Sequence, residues 1–524
     1  MFDSKGGLMF KRVLIANRGE IALRIQRTCR ELGIETVAVY SEPDRNSLHV
    51  RNADYAICIG PGPALESYLV IEKIIDAAIQ SDAEAIHPGY GFLSENSDFA
   101  DACNAANITF IGPPSSAMKD MGDKVSARQL MEKAGVPVVP GAEDIKIDDM
   151  ESAKDAATKI GFPLMVKASA GGGGRGIRLV HKIEDLENAM RQSASEAQSS
   201  FGNPTIFLEK YVSPARHIEV QIMADSEGNV RAFGERECSI QRRHQKVIEE
   251  APSIAVTPEI RKKLCQAAEL AALSCGYQNA GTVEFLMGPD NEFYFLEMNA
   301  RLQVEHPVTE LVYGVDLVAL QLSIAFGGTL PPVDSEELHP NGWAIEARIN
   351  GENAYKNFVP SIGLINHVTQ PSGPGVRFDS MLYDGLDVPP FYDSMLGKLI
   401  VWAENRDLAI QKLMRALNDL LIVGIETNIP FHKALLKNLD FQTGNFHTGW
   451  LEEKFIMPAL EENDPRTTTA LVAAAIAQHL QKSVNNNSST KTFSSKWVQA
   501  SRHSAINIST SQRGSAWRRG TALN

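Results

Sequence analysis

Two stretches of the chain carry side chains suited to holding a hard cation. "TVEFLM" (282–287) and "EFYFLEMN" (292–299) flank the turn "GPDN", and this spacing predicts an antiparallel hairpin. A symmetric turn places Glu284 opposite Phe295 and Glu297 opposite Thr282, with both glutamates on one face. As diagonal neighbours they are expected about 7–8 Å apart. Leu286, Phe293 and Phe295 share their face, while Val283, Phe285, Tyr294 and Leu296 take the other, so the hairpin is expected to be buried. Two buried carboxylates repel unless a cation lies between them. Together with the amide of Asn299, Glu284 and Glu297 make a hard oxygen set that suits Mg2+ bridging the phosphates of a nucleotide. The alternative, an amphipathic hairpin with its glutamates in water, needs a polar/apolar alternation that these strands lack.

More chemistry follows at once in "RLQVEHP" (301–307). Arg301 offers a planar fork for a small anion, and Glu305, four residues on, is a candidate general base towards an acidic substrate proton. Upstream, "ERECSIQRRHQKVIEE" (235–250) gathers Glu237, Gln241, Arg242, Arg243, His244 and Lys246, which reads as a solvated face or as part of the same site. The run "LMVKASAGGGGRGIRLV" (164–180) formally contains G-x-G-x-x-G. A dinucleotide fingerprint or a Walker loop must open a helix, whereas here a strand follows. Strand, glycines, strand describes a hairpin whose bare amides close over phosphates, or else a flexible surface hairpin. Lys167 on the incoming strand and Lys124 after "MGD" are the cations placed to accompany it.

These parts need a scaffold of several domains, and 524 residues exceed what one core sustains. From Lys11 strands and helices alternate: "RVLIA", a helix with Ile21, Ile25, Cys29 and Leu32 on one stripe ending at Gly33, then "ETVAVYS", "YAICIG", "EAIHPG" and "ITFIG". That order predicts a doubly wound parallel sheet over residues 9–122. Its first turn, "ANRGE", lacks the dinucleotide glycines. Residues 123–335 turn to strands joined by polar turns, and 341–455 mix strands with the amphipathic helix "RDLAIQKLMRALNDLL". The fold class is thus α/β and α+β, multidomain. Net charge is −13, yet eight basic and no acidic residues follow Asp464, which leaves −21 on the rest and argues against nucleic-acid binding. Six cysteines without a C-x-x-C pair read as reduced thiols of the cytoplasm. No stretch has the length and apolarity of a membrane span. The polar run "SVNNNSSTKTFSSK" marks 456–524 as a basic, partly disordered tail.

Taken together, "ANRGEIA", "HPGYGFLSEN", "FIGP", "MGDKVSA", "KASAGGGGRGIR", "ERECSIQRRHQK", "FLEMNARLQVEHPVTE", "EARIN" and "YDSMLGKLI" resemble the biotin carboxylases, members of the ATP-grasp superfamily, over residues 9–455. The resemblance implies an N-terminal biotin carboxylase domain, an ATP-grasp domain with a mobile glycine-rich lid at about 140–212, and a C-terminal biotin carboxylase domain. It implies ATP contacts from Lys124, Lys167, Gly173, Gly174, His217, Gln241 and His244, and an adenine pocket at Glu209, Lys210, Tyr211 and Val212. Glu284, Glu297 and Asn299 would hold Mg2+ or Mn2+, two ions in all. Lys246, Arg301 and the Val304 backbone would bind bicarbonate, with Gln303 nearby and Glu305 as its base, while Arg348 would stabilise the biotin enolate.

The implied activity is ATP-dependent carboxylation of biotin through carboxyphosphate, the first half-reaction of acetyl-CoA carboxylase in fatty acid biosynthesis. Alternatives are the corresponding part of a propionyl-CoA, methylcrotonyl-CoA or pyruvate carboxylase, another ATP-grasp ligase, and a non-catalytic nucleotide sensor. The biotinyl signature places a lysine after methionine in a hairpin. The one Met-Lys here, Met118-Lys119, has the wrong context, so the biotin is expected on a separate carrier protein. Carboxyltransferase subunits and a second copy of the chain are the other expected partners. The tail after Phe455 reads as a docking segment for them or as a disordered extension.

Overall fold

The computed structural model describes residues 9–145, 149–168, 178–201, 205–331 and 338–459, together with 472, 473 and 476. The chain divides into the units Met1–Met457 and Pro458–Asn524. The expected docking segment therefore lies almost entirely outside the described residues, as do Gly173 and Gly174 of the glycine run.

Five parallel strands open the fold: β1 (Arg12–Ile15), β2 (Glu35–Ser41), β3 (Tyr55–Gly60), β4 (Ala85–His87) and β5 (Thr109–Phe110). Their order is β3-β2-β1-β4-β5, the doubly wound sheet expected. The chain reverses its winding between β1 and β4, where a crevice must open beyond the strand ends. Asn17, just after β1, donates to the Pro88 and Tyr90 carbonyls just after β4 at 2.8 and 2.7 Å, so the two loops are stitched into one rim. The helix Gly19–Glu31 starts there and buries Ile21, Ile25 and Cys29; Gly33, at φ 74°, follows its end.

A four-stranded antiparallel sheet carries the segment around the glycine run. It consists of β6 (Gly141–Ile145), β7 (Leu164–Ala168), β8 (Arg178–Val180) and β9 (Ile206–Lys210), in the order β6-β9-β7-β8. β7 and β8 pair from Leu164↔Val180 to Val166↔Arg178, the hairpin that "IRLV" predicted.

The site is built on an eight-stranded antiparallel sheet. Its strands β10 (Arg216–Ala224), β11 (Val230–Arg242), β12 (Gln245–Ala251), β13 (Asn279–Met287), β14 (Phe293–Asn299) and β15 (Trp343–Asn350) run in the order β14-β13-β10-β11-β12-β15. The strands Met395–Ala403 and Val376–Ser380 extend it past β15, so one sheet is continuous across the segment expected to separate the second and third domains. Alternation along β10 divides the two faces. Ile218, Val220 and Ile222 join a core with Leu264, Ala268 and Ala271 of the helix Pro258–Ser274, leaving His217, Glu219 and Gln221 for the other face.

The β13–β14 hairpin departs from expectation in two ways. Its loop spans five residues, Gly288–Glu292, closed by the Gly288 N–H to the Glu292 carbonyl at 2.8 Å, with Asn291 at φ 61°. Phe285 then pairs with Phe295, and a bulge at Leu296 sets Glu284 directly opposite Glu297 and Thr282 opposite Asn299. The glutamates are therefore cross-strand partners and not the diagonal neighbours that a symmetric turn predicts. The hairpin is also not buried throughout. β14 is the sheet edge, so Leu296 and Glu297 are exposed while Glu284 is buried.

A second bulge lies on β11, where Phe233 and Gly234 together face Gln221. Gly234 has φ 64°, and a Cβ there would collide with the Tyr313 hydroxyl. Gly234→Ala is expected to cost about 2 kcal/mol or more of stability, from strain plus overlap. Denaturant unfolding of the variant beside the wild type measures it.

Candidate active site

A single ammonium organises the cleft. β11 and β12 are joined by only two residues, Arg243 and His244, both left-handed at φ 49° and 64°. Tight hairpins of this kind prefer Gly or Asn, and a bulky residue held there is strained. The turn carries Lys246 directly into the sheet, where its Nζ donates to Glu219 Oε2 at 2.5 Å, Glu284 Oε1 at 2.8 Å and Glu305 Oε1 at 2.8 Å. Burial opposes the charge on Lys246, but the three carboxylates outweigh it and hold its pKa well above the ordinary value. Burial likewise works against the ionised form of Glu219, and Arg236 and Lys246 keep its pKa well below the ordinary value. Glu284 is also held low, against burial, by His217 and Lys246. His217 lies 3.2 Å from Glu284 Oε2; burial would lower its pKa, yet that carboxylate and Glu219 hold it up at about 9.

Glu219 and Arg236 were not singled out from the sequence, although the alternation in "HIEVQIM" puts Glu219 on the face of His217. Arg236 is fully buried. It bonds Glu219 Oε1, Gln221 Oε1 at 2.8 Å, Thr309 at 3.0 Å and Thr282 at 3.1 Å. The four acceptors come from β10, β13 and the helix His306–Tyr313, and together they allow a charge to lie at the sheet's centre.

Arg301 is held as a fork. It donates to Glu95 Oε2 at 3.0 Å, Gln303 Oε1 at 2.9 Å and Asn299 Oδ1 at 2.9 Å. Glu95, from "HPGYGFLSEN", also accepts the Ala300 N–H at 2.9 Å, tying the loop after β4 to the segment that carries Arg301. The Val304 carbonyl accepts from the fully buried Lys398 at 2.8 Å, which fixes the backbone beside Glu305. Glu305 has both oxygens engaged: Oε1 meets Lys246, and Oε2 meets Arg348 Nη2 at 2.8 Å. Arg348 Nε in turn donates to Glu249 at 2.6 Å. Burial works against the ionised Glu305 and Glu219 repels it, yet Lys246, Arg348 and Arg236 prevail and lower its pKa.

His217, Gln241, His244, Lys246, Glu284, Glu297, Asn299, Arg301, Gln303, Val304 and Arg348 all line one cleft of about 850 Å³, with Glu305 at its base. The walls beyond Arg348 include Tyr90, Phe92, Met381, Phe391 and Tyr392. Other sequence candidates stand outside this cleft. Lys167 and Glu209 form an ion pair on the four-stranded sheet. Lys210 extends to within 4.0 Å of Glu292, the Tyr211 N–H donates to the Pro163 carbonyl, and Val212 lies beside Gly288. Lys124 begins the helix Lys124–Ala134, and its side chain lies outside the described residues.

The donors fit a hard divalent cation. Glu284 and Glu297 are paired across the strands, Glu284 is held ionised, and Asn299 adds an amide oxygen, which also accepts from Arg301 Nη2 at 2.9 Å. An all-oxygen set of this kind matches Mg2+ or Mn2+ and not a soft metal.

Three family models match the chain: "Biotin carboxylase, N-terminal domain" over residues 9–118, "Carbamoyl-phosphate synthase L chain, ATP binding domain" over 123–333, and "Biotin carboxylase C-terminal domain" over 346–453. Biotin carboxylase 1 of Bacillus subtilis is 51% identical over 450 residues, covering 86% of this chain and 100% of that protein. One pyruvate carboxylase subunit of Methanothermobacter thermautotrophicus is 51% identical over 445 residues, covering 85% of this chain and 90% of that one. Among solved structures, the biotin carboxylase domain dimer of Hydrogenobacter thermophilus 2-oxoglutarate carboxylase, in complex with MgADP, ADP and bicarbonate, superposes with a TM-score of 0.77. It is 46% identical and covers 85% of this chain and 98% of its own.

The lowered carboxylates imply acid sensitivity. Folded pKa values below the ordinary 4.5 contribute stability above that pH, and the contribution is lost as pH falls through the folded values. In Lys246→Met the three glutamates lose their shared cation and their pKa values rise. Thermal unfolding followed against pH is expected to show a lower Tm than the wild type at neutral pH and a shallower fall in Tm as pH drops below 4.5, because the folded and unfolded pKa values lie closer together.

Proposed function

The chain belongs to the biotin carboxylase family, and we propose that it carboxylates the biotin of a separate carrier protein, using ATP, a divalent cation and bicarbonate. The observation that carries this reading is the placement of Glu305: one oxygen on Lys246, beside the Arg301 fork, and the other on Arg348. A single carboxylate thereby joins an anion-binding half-site to the half-site where the acceptor would lie.

Bicarbonate would sit between Lys246, Arg301 and the Val304 backbone, with Gln303 alongside. It is a poor electrophile, and phosphorylation by ATP to carboxyphosphate makes its carbon reactive. The reaction forms an O–P bond as the γ-phosphoryl leaves ADP, while the bicarbonate proton passes to Glu305. In the resting geometry Glu305 is a weak base because two cations hold it. An anion that takes over the Lys246 hydrogen bond removes one of them and strengthens the base at the moment it is needed. A cation held by Glu284, Glu297 and Asn299 would supply Lewis-acid polarisation of phosphate oxygens. Lys124, Lys167, His217, Gln241 and His244 would meet the nucleotide, with Glu209 to Val212 against its base and the glycine run as roof.

Carboxyphosphate would release CO2 beside biotin, whose ureido nitrogen loses its proton to the liberated phosphate. Arg348 would hold the resulting oxyanion, and the aromatic walls at Tyr90 and Phe391 would take the apolar part of biotin. Exclusion of water preserves the intermediate. The acetyl-CoA carboxylase half-reaction is the leading context. The name of the Methanothermobacter relative favours a pyruvate carboxylase as the second. Homodimerisation, carrier and carboxyltransferase partners and a cytoplasmic setting belong to this proposal. Among the described residues, no single helix is long and apolar enough to cross a membrane.

Two measurements test the reading. ATP hydrolysis by the protein is expected to require bicarbonate and to rise with free biotin; turnover indifferent to both would point to a different ATP-grasp ligase. Arg348→Ala is expected to retain bicarbonate-dependent hydrolysis while biotin carboxylation falls by about 100-fold or more. Equal retention of both activities would remove Arg348 from the mechanism.

A further inference from the structure

The scheme above leaves Glu346 without a task, although it lies in the middle of the large sheet. On β15, Ile345, Ala347 and Ile349 pack into a core with Leu413 and Leu417 of the helix Arg406–Asp419. Ala344, Glu346 and Arg348 take the opposite face, where Ala344 packs with Val308 and Val312 of the helix His306–Tyr313. There Glu346 stands directly opposite Glu249 of β12 and beside Ile400 of the strand Met395–Ala403. Both glutamates are buried, at 0% and 1% exposure. Glu249 Oε1 is taken by Arg348, but Glu249 Oε2 and both oxygens of Glu346 have no hydrogen-bond partner among the described residues.

The charges around this pair are already committed. Arg348, on β15 itself, is matched by Glu249 and Glu305. Lys398, on the next strand, gives its ammonium to the Val304 carbonyl and lies 3.3 Å from Glu20 of the first helix. From β12, Lys246 is shared among Glu219, Glu284 and Glu305. On the covering helix His306 is buried with its pKa held low by burial and by Lys398, and Glu310 pairs with Arg24 and Arg377. Among the described residues, no spare cation is left for a second carboxylate opposite Glu249. Cross-strand partners stand about 5 Å apart at Cβ, and two buried carboxylates at that spacing cannot both ionise without one. Burial pushes the Glu346 carboxyl well above its usual range, with Lys398 opposing and Glu249 adding to the rise. Burial also raises Glu249, with Arg348 opposing, and because Glu249 alone of the two is bonded to Arg348, the negative charge of the pair belongs on Glu249.

We propose that Glu346 is a positioning residue: held as a neutral carboxylic acid, it spares Arg348 a third carboxylate and leaves the guanidinium able to attract the oxyanion that forms on biotin. This rests on the function proposed above for its catalytic part, whereas the proton itself does not. Ionised, Glu346 would add negative charge beside Arg348, and an oxyanion held there would be bound less well.

Infrared difference spectra of the full chain test the proton directly. The wild type is expected to show a carboxylic-acid C=O band at neutral pH that E346Q abolishes; a spectrum in which no such band responds to the substitution overturns the proposal. Kinetics test the role. In the wild type the KM for free biotin is expected to rise by about tenfold as pH is raised through the titration of Glu346, while bicarbonate-dependent ATP turnover without biotin does not follow it. In E346Q, neutral at every pH, the biotin KM stays flat; a rise parallel to the wild type sinks the positioning role. E346L, which removes the titrating group at similar volume, is expected to lack the band and to give the same flat profile, and so stands in should E346Q fail to fold. A wild-type protein with the band but without biotin carboxylation would overturn the functional reading and leave the proton assignment standing.

Discussion

The ammonium of Lys246 among Glu219, Glu284 and Glu305 is the interaction on which the rest of the cleft depends. Three carboxylates converge there from β10, β13 and the start of the helix His306–Tyr313. Without a cation their mutual repulsion, in surroundings nearly free of water, would protonate them or spread the strands. Arg236 beneath and Arg348 beside supply the remaining charge, so acids and bases alternate through the sheet. The arrangement costs desolvation, and what it secures is a set of ionised oxygens and positively charged donors held in fixed places. Preorganised charge of this kind needs little reorganisation when the reaction begins.

Sheet continuity is what lets that network exist. β12 joins β11 on one side and β15 on the other, so Lys246 and Arg348, about a hundred residues apart in sequence, face the same cleft through one hydrogen-bonded lattice. The parallel sheet contributes from outside. Its rim at Asn17 and Tyr90 borders the cleft, and its Glu95 aligns Arg301. Left-handed backbone stands beside the site at Arg243 and His244, in the turn before Lys246, where it is strained, and at Gly234, in the bulge before Arg236, where glycine adopts it freely. Local strain placed next to the reacting groups is held there by the packing around it.

Much of this was legible in the chain. Strand and helix alternation announced the parallel sheet, and "IRLV" after the glycines excluded a Walker loop. Residue types and short spacings pointed to Glu284, Glu297, Asn299, Arg301 and Glu305, and the family resemblance added His217, Gln303, Val304 and Arg348, while neither reached Glu219, Arg236 or the aromatic walls. The β13–β14 register was misread for a physical reason. Loop length and a bulge set register, and neither the left-handed Asn291 nor the extra residue at Leu296 is signalled by alternation.

Local pattern in the sequence determined which elements form, which faces are apolar, and which donors and acceptors are present. Tertiary structure alone decided their charge states and partners: that Glu219 and Arg236 form the floor of the site, that Glu95 aligns Arg301, and that Glu346 lies opposite Glu249 with no cation to spare among the described residues. Those outcomes depend on distances between residues tens to hundreds apart and on the exclusion of water around them, quantities that no short stretch of sequence contains.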